Sequence, residues 1–360
     1  MSDAECSIHF PDTFLDYIPD PPMGRDIYQQ SLESSFENDD LGVHPIYALF
    51  KVTNRCNSKC AYCGHADVDK TEDFSSTQHK DILDQLSEVG CVSVNFTGGE
   101  PLLLHDLPEL AIYANERGLF TILLTNGLLL QKRSDELRHS GLGMVIVSID
   151  SVRPATHRKT RGADIGPVLK GLDTLLAYPK NERPVVTVTT VVSSRNIDHL
   201  DEVVSYFSER GVGVKLTPYH HHGRWEDDCL SPQDMDVYHN TMDKLAQMKK
   251  AGYGIINSQA YLDNFVNYNF NRNSPEGFRC YGGHTTLYID PKLNVRTCWS
   301  AGLPIAGNLG QTRLNDLLHG AEMRQIRQNI RKRKCNKCWL LCTAEISLRF
   351  QSKLGVSNEK

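Results

Sequence analysis

Nowhere in the 360 residues is there a run approaching the roughly 20 consecutive apolar side chains that a membrane span requires. Positive charge is not in excess. The formal net charge is -5, and the only concentrated basic segment is Arg331–Lys334, which reads as a solvated helix end, so nucleic-acid binding is not expected. The N-terminus carries Asp3, Glu5, Pro11 and Asp12 in place of a basic and then apolar signal, so no secretory leader is expected and a cytoplasmic location is predicted. No repeat of solenoid period and no low-complexity tract is present. With 40% hydrophobic and 23% charged residues, the composition is that of an ordinary globular protein.

Cysteine, by contrast, is abundant for a reducing compartment, with eleven in the chain. Most of them fall in groups: Cys56, Cys60 and Cys63, then Cys280 with Cys298, then Cys335 and Cys338 with Cys342 close behind. Grouped thiols in a cytosolic chain point to metal rather than to disulfides. Cys6, Cys91 and Cys229 have no such neighbours.

The first 44 residues, with prolines at 11, 19, 21 and 22 and an acidic stretch at Glu37–Asp40, are expected to form an irregular N-terminal extension. Residues 45–217 then alternate short, β-branched apolar runs with amphipathic segments. Strands are expected at Ile46–Thr53, Val92–Phe96, Phe120–Thr125, Met144–Ile149, Val185–Val192 and Val212–Leu216. Helices are expected at Thr77–Val89, Leu107–Arg117, Ser134–Ser140, Ile165–Ala177 and Asn196–Glu209, the last with Asn196 as N-cap. Six such units imply an α/β fold, either a barrel or an open doubly wound sheet, with chemistry at the C-terminal strand ends. Residues 218–279 read as bridging helices and loops, 280–345 as a small cysteine-bearing module built on a hairpin, and 346–360 as a tail.

Cys56-x3-Cys60-x2-Cys63 follows directly on the first strand. Three thiolates can hold three irons of a [4Fe–4S] cluster and leave the fourth open to a ligand. With His65 they could equally form a Cys3His zinc knuckle, which would make the protein a zinc-stabilised binding module rather than an enzyme. A second signal, Thr97-Gly98-Gly99-Glu100-Pro101, ends the second strand; its glycines admit close backbone approach, and its carboxylate can accept hydrogen bonds from an ammonium.

This pairing resembles the radical SAM family: a Cys-x3-Cys-x2-Cys motif with an aromatic residue, Tyr62, before the third cysteine, and a Gly-Gly-Glu-Pro strand end at 98–101. The resemblance runs from about Ile46 to Leu216 and implies a partial (β/α)6 TIM-like barrel. It implies that Gly98, Gly99 and Glu100 hold the amino group of S-adenosylmethionine (AdoMet), and that Tyr62 lies near its adenine. It further implies ribose contacts from Ser148 and Asp150, and a carboxylate contact from Arg161, whose bland reading is a surface arginine. The C-terminal pattern of Cys280-x17-Cys298, Asp290-Pro291, Gly307-Asn308 and Cys335-x2-Cys338-Trp339 resembles the SPASM extension, or its shorter twitch form. Five cysteines stand where the full pattern has seven, which implies one auxiliary [4Fe–4S] cluster on Cys280, Cys298, Cys335 and Cys338, with Cys342 a substitute ligand or idle. Read from the residues alone, zinc also fits this second group.

The implied activity is reductive cleavage of AdoMet to a 5′-deoxyadenosyl radical that takes hydrogen from an unactivated C–H bond, with the auxiliary cluster as electron acceptor. The implied partners are a flavodoxin or ferredoxin as electron donor and a peptide or protein substrate; the alternative is a small metabolite. His220, His221 and His222, near the end of the sixth strand, are candidates to contact substrate or move a proton.

Overall fold

The computed structural model describes residues 9–38, 44–63, 74–220, 229–271, 273–298, 304–335 and 338–351. His65, His221 and His222 lie outside these described residues.

The chain begins with a finding against expectation. Arg25–Asn38 is a regular helix (α1), not irregular chain, and it buries Tyr28, Leu32 and Phe36 at four-residue spacing. Tyr28 packs on Phe350 with ring centroids 5.4 Å apart. That partner is the last apolar residue of a helix at the other end of the chain, so a local reading could not show it.

The repeating part then runs β1 (Tyr47–Thr53), α2 (Ser76–Glu88), β2 (Ser93–Gly98), α3 (Leu107–Asn115), β3 (Phe120–Thr125), α4 (Leu130–His139) and β4 (Met144–Ser148). It continues with α5 (Pro154–Arg161), α6 (Ile165–Leu176), β5 (Val185–Val192), α7 (Leu200–Ser208) and β6 (Gly213–Pro218). All six strands pair in parallel with their sequence neighbours, from Tyr47 opposite Ser93 to Val192 opposite Pro218. Their near-continuous apolar content follows from burial on both faces, with the helices covering the outside. Thr77–Val89, Leu107–Arg117 and Ile165–Ala177 match their helices to within two residues.

Asn196 is not the N-cap of α7. Its amide instead donates to the carbonyls of Asp150 and Val191, at 2.8 Å each, and its oxygen accepts from Ser193 N at 2.9 Å. The side chain ties strand ends together, and a short 3-10 turn at Ile197–His199 leads into the helix.

After α8 (Met235–Lys250), α9 (Gln259–Asp263) and α10 (Phe265–Asn271), the chain returns to the barrel. β7 (Thr286–Ile289) pairs in parallel with β1, and β8 (Asn294–Arg296) and β9 (Gly307–Asn308) add antiparallel strands outside it. The result, among the described residues, is one nine-stranded sheet in the order β6-β5-β4-β3-β2-β1-β7-β8-β9. β1 therefore meets β7 and not β6, so the barrel is open on that side. The cysteine-bearing module continues the barrel sheet. Three helices complete it: α11 (Leu314–His319), α12 (Ala321–Arg331) and α13 (Leu341–Gln351). The last runs to Gln351 and so enters the segment expected as a tail. Arg331 does end a helix, and Lys332 and Lys334 beyond it are exposed. No helix among the described residues is long and apolar enough to cross a membrane.

Candidate functional site

The C-terminal ends of the six parallel strands surround a cavity of about 340 Å³, a size suited to a small cofactor. Alternation along the strands decides which residues face it. Leu49 of β1, Thr97 of β2, Leu124 of β3, Ser148 of β4, Thr189 and Val191 of β5 and Thr217 of β6 all line the wall.

Cys56, Cys60 and Cys63 reach the same cavity from the loop that follows β1. That loop is fastened on two sides. Ala61 N donates to Thr160 O at 2.8 Å, and Ser58 Oγ and Cys60 Sγ donate to Arg161 O at 2.5 and 3.5 Å. On the other side, Gly99 N and Glu100 N donate to Thr53 O and Arg55 O, both at 2.8 Å. The glycines are obligatory here: Gly98 has φ +148°, and a Cβ on Gly98 or Gly99 would stand 2.4 Å from Thr53 O or 2.0 Å from Arg55 O. The Gly-Gly pair thus lets β2 press against the cysteine loop while its own backbone faces the cavity.

Tyr62, Gly98, Gly99, Ser148 and Arg161 all line the cavity with the three cysteines. Two expected contacts are not on its wall. Glu100 is fully buried, and its carboxylate accepts from Thr125 Oγ1 at 2.7 Å, Asn126 N at 2.7 Å and Leu102 N at 3.0 Å. Burial pushes this carboxyl up to about 7, against those three bonds, which pull it down. Asp150 is fully buried too, accepting from Tyr62 Oη at 2.6 Å, Arg161 Nη2 at 2.7 Å and Val191 N at 3.0 Å. Both acids therefore position their neighbours instead of facing a ligand directly. Arg161 is no surface residue: it is 9% exposed, and its Nε is buried without a hydrogen-bond partner. An arginine held by one anion with a donor to spare is well placed to meet a second carboxylate.

Sequence reasoning missed Asn126. Its backbone N–H holds Glu100, and its side chain donates to Asn57 Oδ1 at 2.8 Å and lies 3.9 Å from Cys56 Sγ. The polar Thr125-Asn126-Gly127 at the end of an apolar strand was the available signal. Of the histidine run only His220 is described; it lines the cavity and packs on Tyr268 with the two rings tilted by 35°, its Nδ1 2.8 Å from that hydroxyl.

The second cysteine group opens elsewhere. Cys280, Cys335 and Cys338 line an outer cavity of about 460 Å³ together with Phe278, Arg279 and Arg333. Cys298 is buried just past β8 and is not on that wall. Burial raises the Cys280 thiol and lifts Cys338 to about 11, so these side chains are protonated until a metal takes them as thiolates. Cys342 lines the inner cavity, as Cys56, Cys60 and Cys63 do, while its thiol is an electrostatic neighbour of Cys280 and Cys338. The stretch from Cys338 to Cys342 is the partition between the two, and Trp339 anchors it: its Nε1 donates to Tyr261 O at 3.1 Å while Tyr261 Oη donates to Trp339 O at 3.0 Å.

Among the described residues, no three His, Cys, Asp or Glu side chains gather around one ion-sized point. The thiols are spread along cavity walls instead, an arrangement that fits a body larger than a single ion. An open parallel barrel with three thiols in its first loop, facing a glycine-lined strand end, defines a site that offers thiolates to a metal and leaves room for a small ligand beside it. The comparisons agree. Residues 50–207 match the Radical SAM superfamily, and residues 280–339 match an iron–sulfur cluster-binding domain, SPASM. Residues 50–207 carry the radical SAM domain, whose cofactors are AdoMet and a [4Fe–4S] cluster, and residues 280–339 the SPASM domain, whose cofactors are auxiliary iron–sulfur clusters.

Among curated relatives, Fe-coproporphyrin III synthase of Methanosarcina barkeri is 38% identical over 117 residues, covering 32% of this chain and 29% of that protein. GTP 3′,8-cyclase of Hydrogenovibrio crunogenus is 34% identical over 181 residues, 47% of this chain and 53% of that protein. The chain thus spans between about a third and half of the length of these two relatives. Among solved structures, Streptococcus suis SuiB bound to precursor peptide SuiA shares the fold at a TM-score of 0.64 and 16% identity, covering 88% of this chain and 74% of that one.

Proposed function

We propose that the chain is an enzyme that reductively cleaves AdoMet and abstracts hydrogen from an unactivated C–H bond of a peptide or protein substrate. The observation that carries this reading is the meeting of Cys56, Cys60, Cys63, Gly98 and Gly99 on one cavity wall. When bound there, an open-site [4Fe–4S] cluster and AdoMet supply the 5′-deoxyadenosyl radical that removes the hydrogen.

The chain's own residues do the rest. Cys56, Cys60 and Cys63 hold the cluster as thiolates. The half-buried Gly98 and Gly99, which line the cavity, would hold the amino group of AdoMet, with Glu100 fixing the strand end through Thr125 and Asn126. Asp150 holds Tyr62 and Arg161 in place, where the ring would pack along the adenine and the guanidinium would meet the carboxylate. Ser148 offers its hydroxyl to the ribose. Leu49, Leu124, Val191 and Leu340 keep the remaining wall apolar and exclude water from a reactive carbon. Cys280, Cys298, Cys335 and Cys338 would hold an auxiliary [4Fe–4S] cluster, which would supply electron-transfer chemistry on the outer side of the Cys338–Cys342 partition. A flavodoxin or ferredoxin supplies electrons, and residues 45–217 and 280–345 act as the catalytic and auxiliary units.

The fold shared with SuiB supports a peptide substrate. A small metabolite is the second reading, favoured by the sequence similarity to GTP 3′,8-cyclase. Anaerobic incubation with AdoMet and dithionite tests the shared chemistry: methionine and 5′-deoxyadenosine are expected in equal amounts. Candidate peptides and nucleotides, added separately, then distinguish the substrates by which one accelerates that release.

A further inference from the structure

Asn126 directly follows β3 and lines the inner cavity together with Cys56. Its backbone N–H donates to the buried carboxylate of Glu100 at 2.7 Å, and its Oδ1 accepts from Leu128 N at 3.0 Å. A backbone N–H can only donate, so the amide oxygen must face Leu128 and the NH2 group must point the other way. There one amide proton goes to Asn57 Oδ1 at 2.8 Å. The same nitrogen lies 3.9 Å from Cys56 Sγ, within reach of the larger sulfur atom, which is the acceptor for the second proton. Cys56 Sγ also accepts from Ser58 N at 3.4 Å. Ser58 Oγ stands 3.8 Å from Cys60 Sγ, but its single proton goes to Arg161 O at 2.5 Å. Cys56 is thus met by two N–H donors, one from its own loop and one from the end of β3.

We propose that Asn126 is a positioning residue that acts through Cys56: its amide donates to the Cys56 sulfur and makes the open-site cluster easier to reduce. The proposal rests on the reading that Cys56, Cys60 and Cys63 hold a [4Fe–4S] cluster. A thiol is a weak acceptor, whereas a thiolate on iron carries charge, and hydrogen bonds to charged acceptors are the stronger ones. Reduction adds one electron, supplied by the flavodoxin, ferredoxin or dithionite that the reaction already requires, and no bond forms or breaks. Part of the added negative charge falls on the sulfurs. A donor aimed at such a sulfur favours the reduced form and so raises the potential. Leu128 and Glu100 already hold Asn126, so the donor is in place before the electron arrives. One side chain thereby links the strand end that Glu100 secures to the ease with which the cluster takes its electron.

The test is an EPR-monitored redox titration of the anaerobic holoenzyme, which needs no substrate and reads the cluster instead of turnover. The signal that added AdoMet alters is that of the open-site cluster, which separates it from the auxiliary one. At a fixed solution potential near the wild-type midpoint, Asn126→Ala is expected to lower the ratio of reduced to oxidised open-site cluster about three- to tenfold, tenfold being about 59 mV for one electron. Asn126→Asp keeps an oxygen for Leu128 N and loses the donor, and it should lower the ratio at least as far. Both variants should keep the wild-type iron content, because the bond to Glu100 comes from the backbone. Asn57→Ala removes the amide's other acceptor and should not lower the ratio. An unchanged ratio in both Asn126 variants overturns the proposal. So does an equal fall in Asn57→Ala, which would place the effect in the shape of the loop. Loss of the cluster from both Asn126 variants would make the residue a prop for that loop and overturns the proposal as well. A wild type in which no signal responds to AdoMet would instead sink the reading beneath it.

Discussion

Tyr62 donates its hydroxyl hydrogen to Asp150 across 2.6 Å, joining the cysteine loop after β1 to the end of β4. The other carboxylate oxygen of Asp150 takes Arg161 at 2.7 Å. One fully buried acid therefore sets two cavity residues that lie on different elements. Asp150→Asn keeps the shape but leaves the Arg161 guanidinium buried without its anion. Loss of one partner from a buried pair costs about 3 kcal/mol or more. Urea unfolding of the metal-free protein should show a loss of that order, and a loss under about 1 kcal/mol would contradict the assignment.

Gly99→Ala places a Cβ 2.0 Å from Arg55 O, and Gly98→Ala one 2.4 Å from Thr53 O. Neither oxygen can retreat without carrying the cysteine loop along. Each variant should fold with the outer cavity intact but retain only the iron of the second cysteine group after anaerobic reconstitution. Full iron content in either would show that the loop tolerates the displacement.

The buried carboxyl of Glu345, whose Oε1 accepts from Ser258 N at 2.9 Å, is pushed by burial from 4.5 to about 7. A folded-state value above the unfolded one means the stabilising contribution is full below about 4.5 and is lost as the pH climbs through about 7. Glu345→Gln keeps an acceptor and removes the charge. The difference in Tm between E345Q and wild type should therefore shift in favour of the variant from pH 5 to pH 8. A difference that stays flat over that range would contradict the shift.

The two cysteine groups line separate cavities, so their metal contents should be separable. The triple variant at Cys56, Cys60 and Cys63 and the triple variant at Cys280, Cys335 and Cys338 should each hold about four irons per chain, against about eight in the wild type. Zinc in either group, measured by elemental analysis of protein prepared without added metal, would assign that site to the simpler ion.

The six barrel strands were legible because burial on both faces gives short, β-branched runs with no competing period. The cysteine spacing and the Gly98–Gly99 pair were legible because each is local. What escaped depends on distant partners. α1 was hidden by the prolines before it and the acidic residues after it, and its burial comes from Phe350. The inward turn of Glu100 needed Thr125 and Asn126, which belong to the next strand. The sequence places Cys342 beside Cys338, yet one turn of chain carries it through the partition to the opposite cavity. Local spacing shows which thiols are grouped, and not which side of a wall they face.

The central claim is that the thiols after β1 support AdoMet cleavage. Its most direct test is to incubate anaerobically purified wild type and Cys60→Ala with AdoMet and dithionite and to quantify 5′-deoxyadenosine. The account predicts a brown wild-type protein that releases the nucleoside and a Cys60→Ala variant that releases none. A colourless wild type, or equal release by the variant, would contradict it.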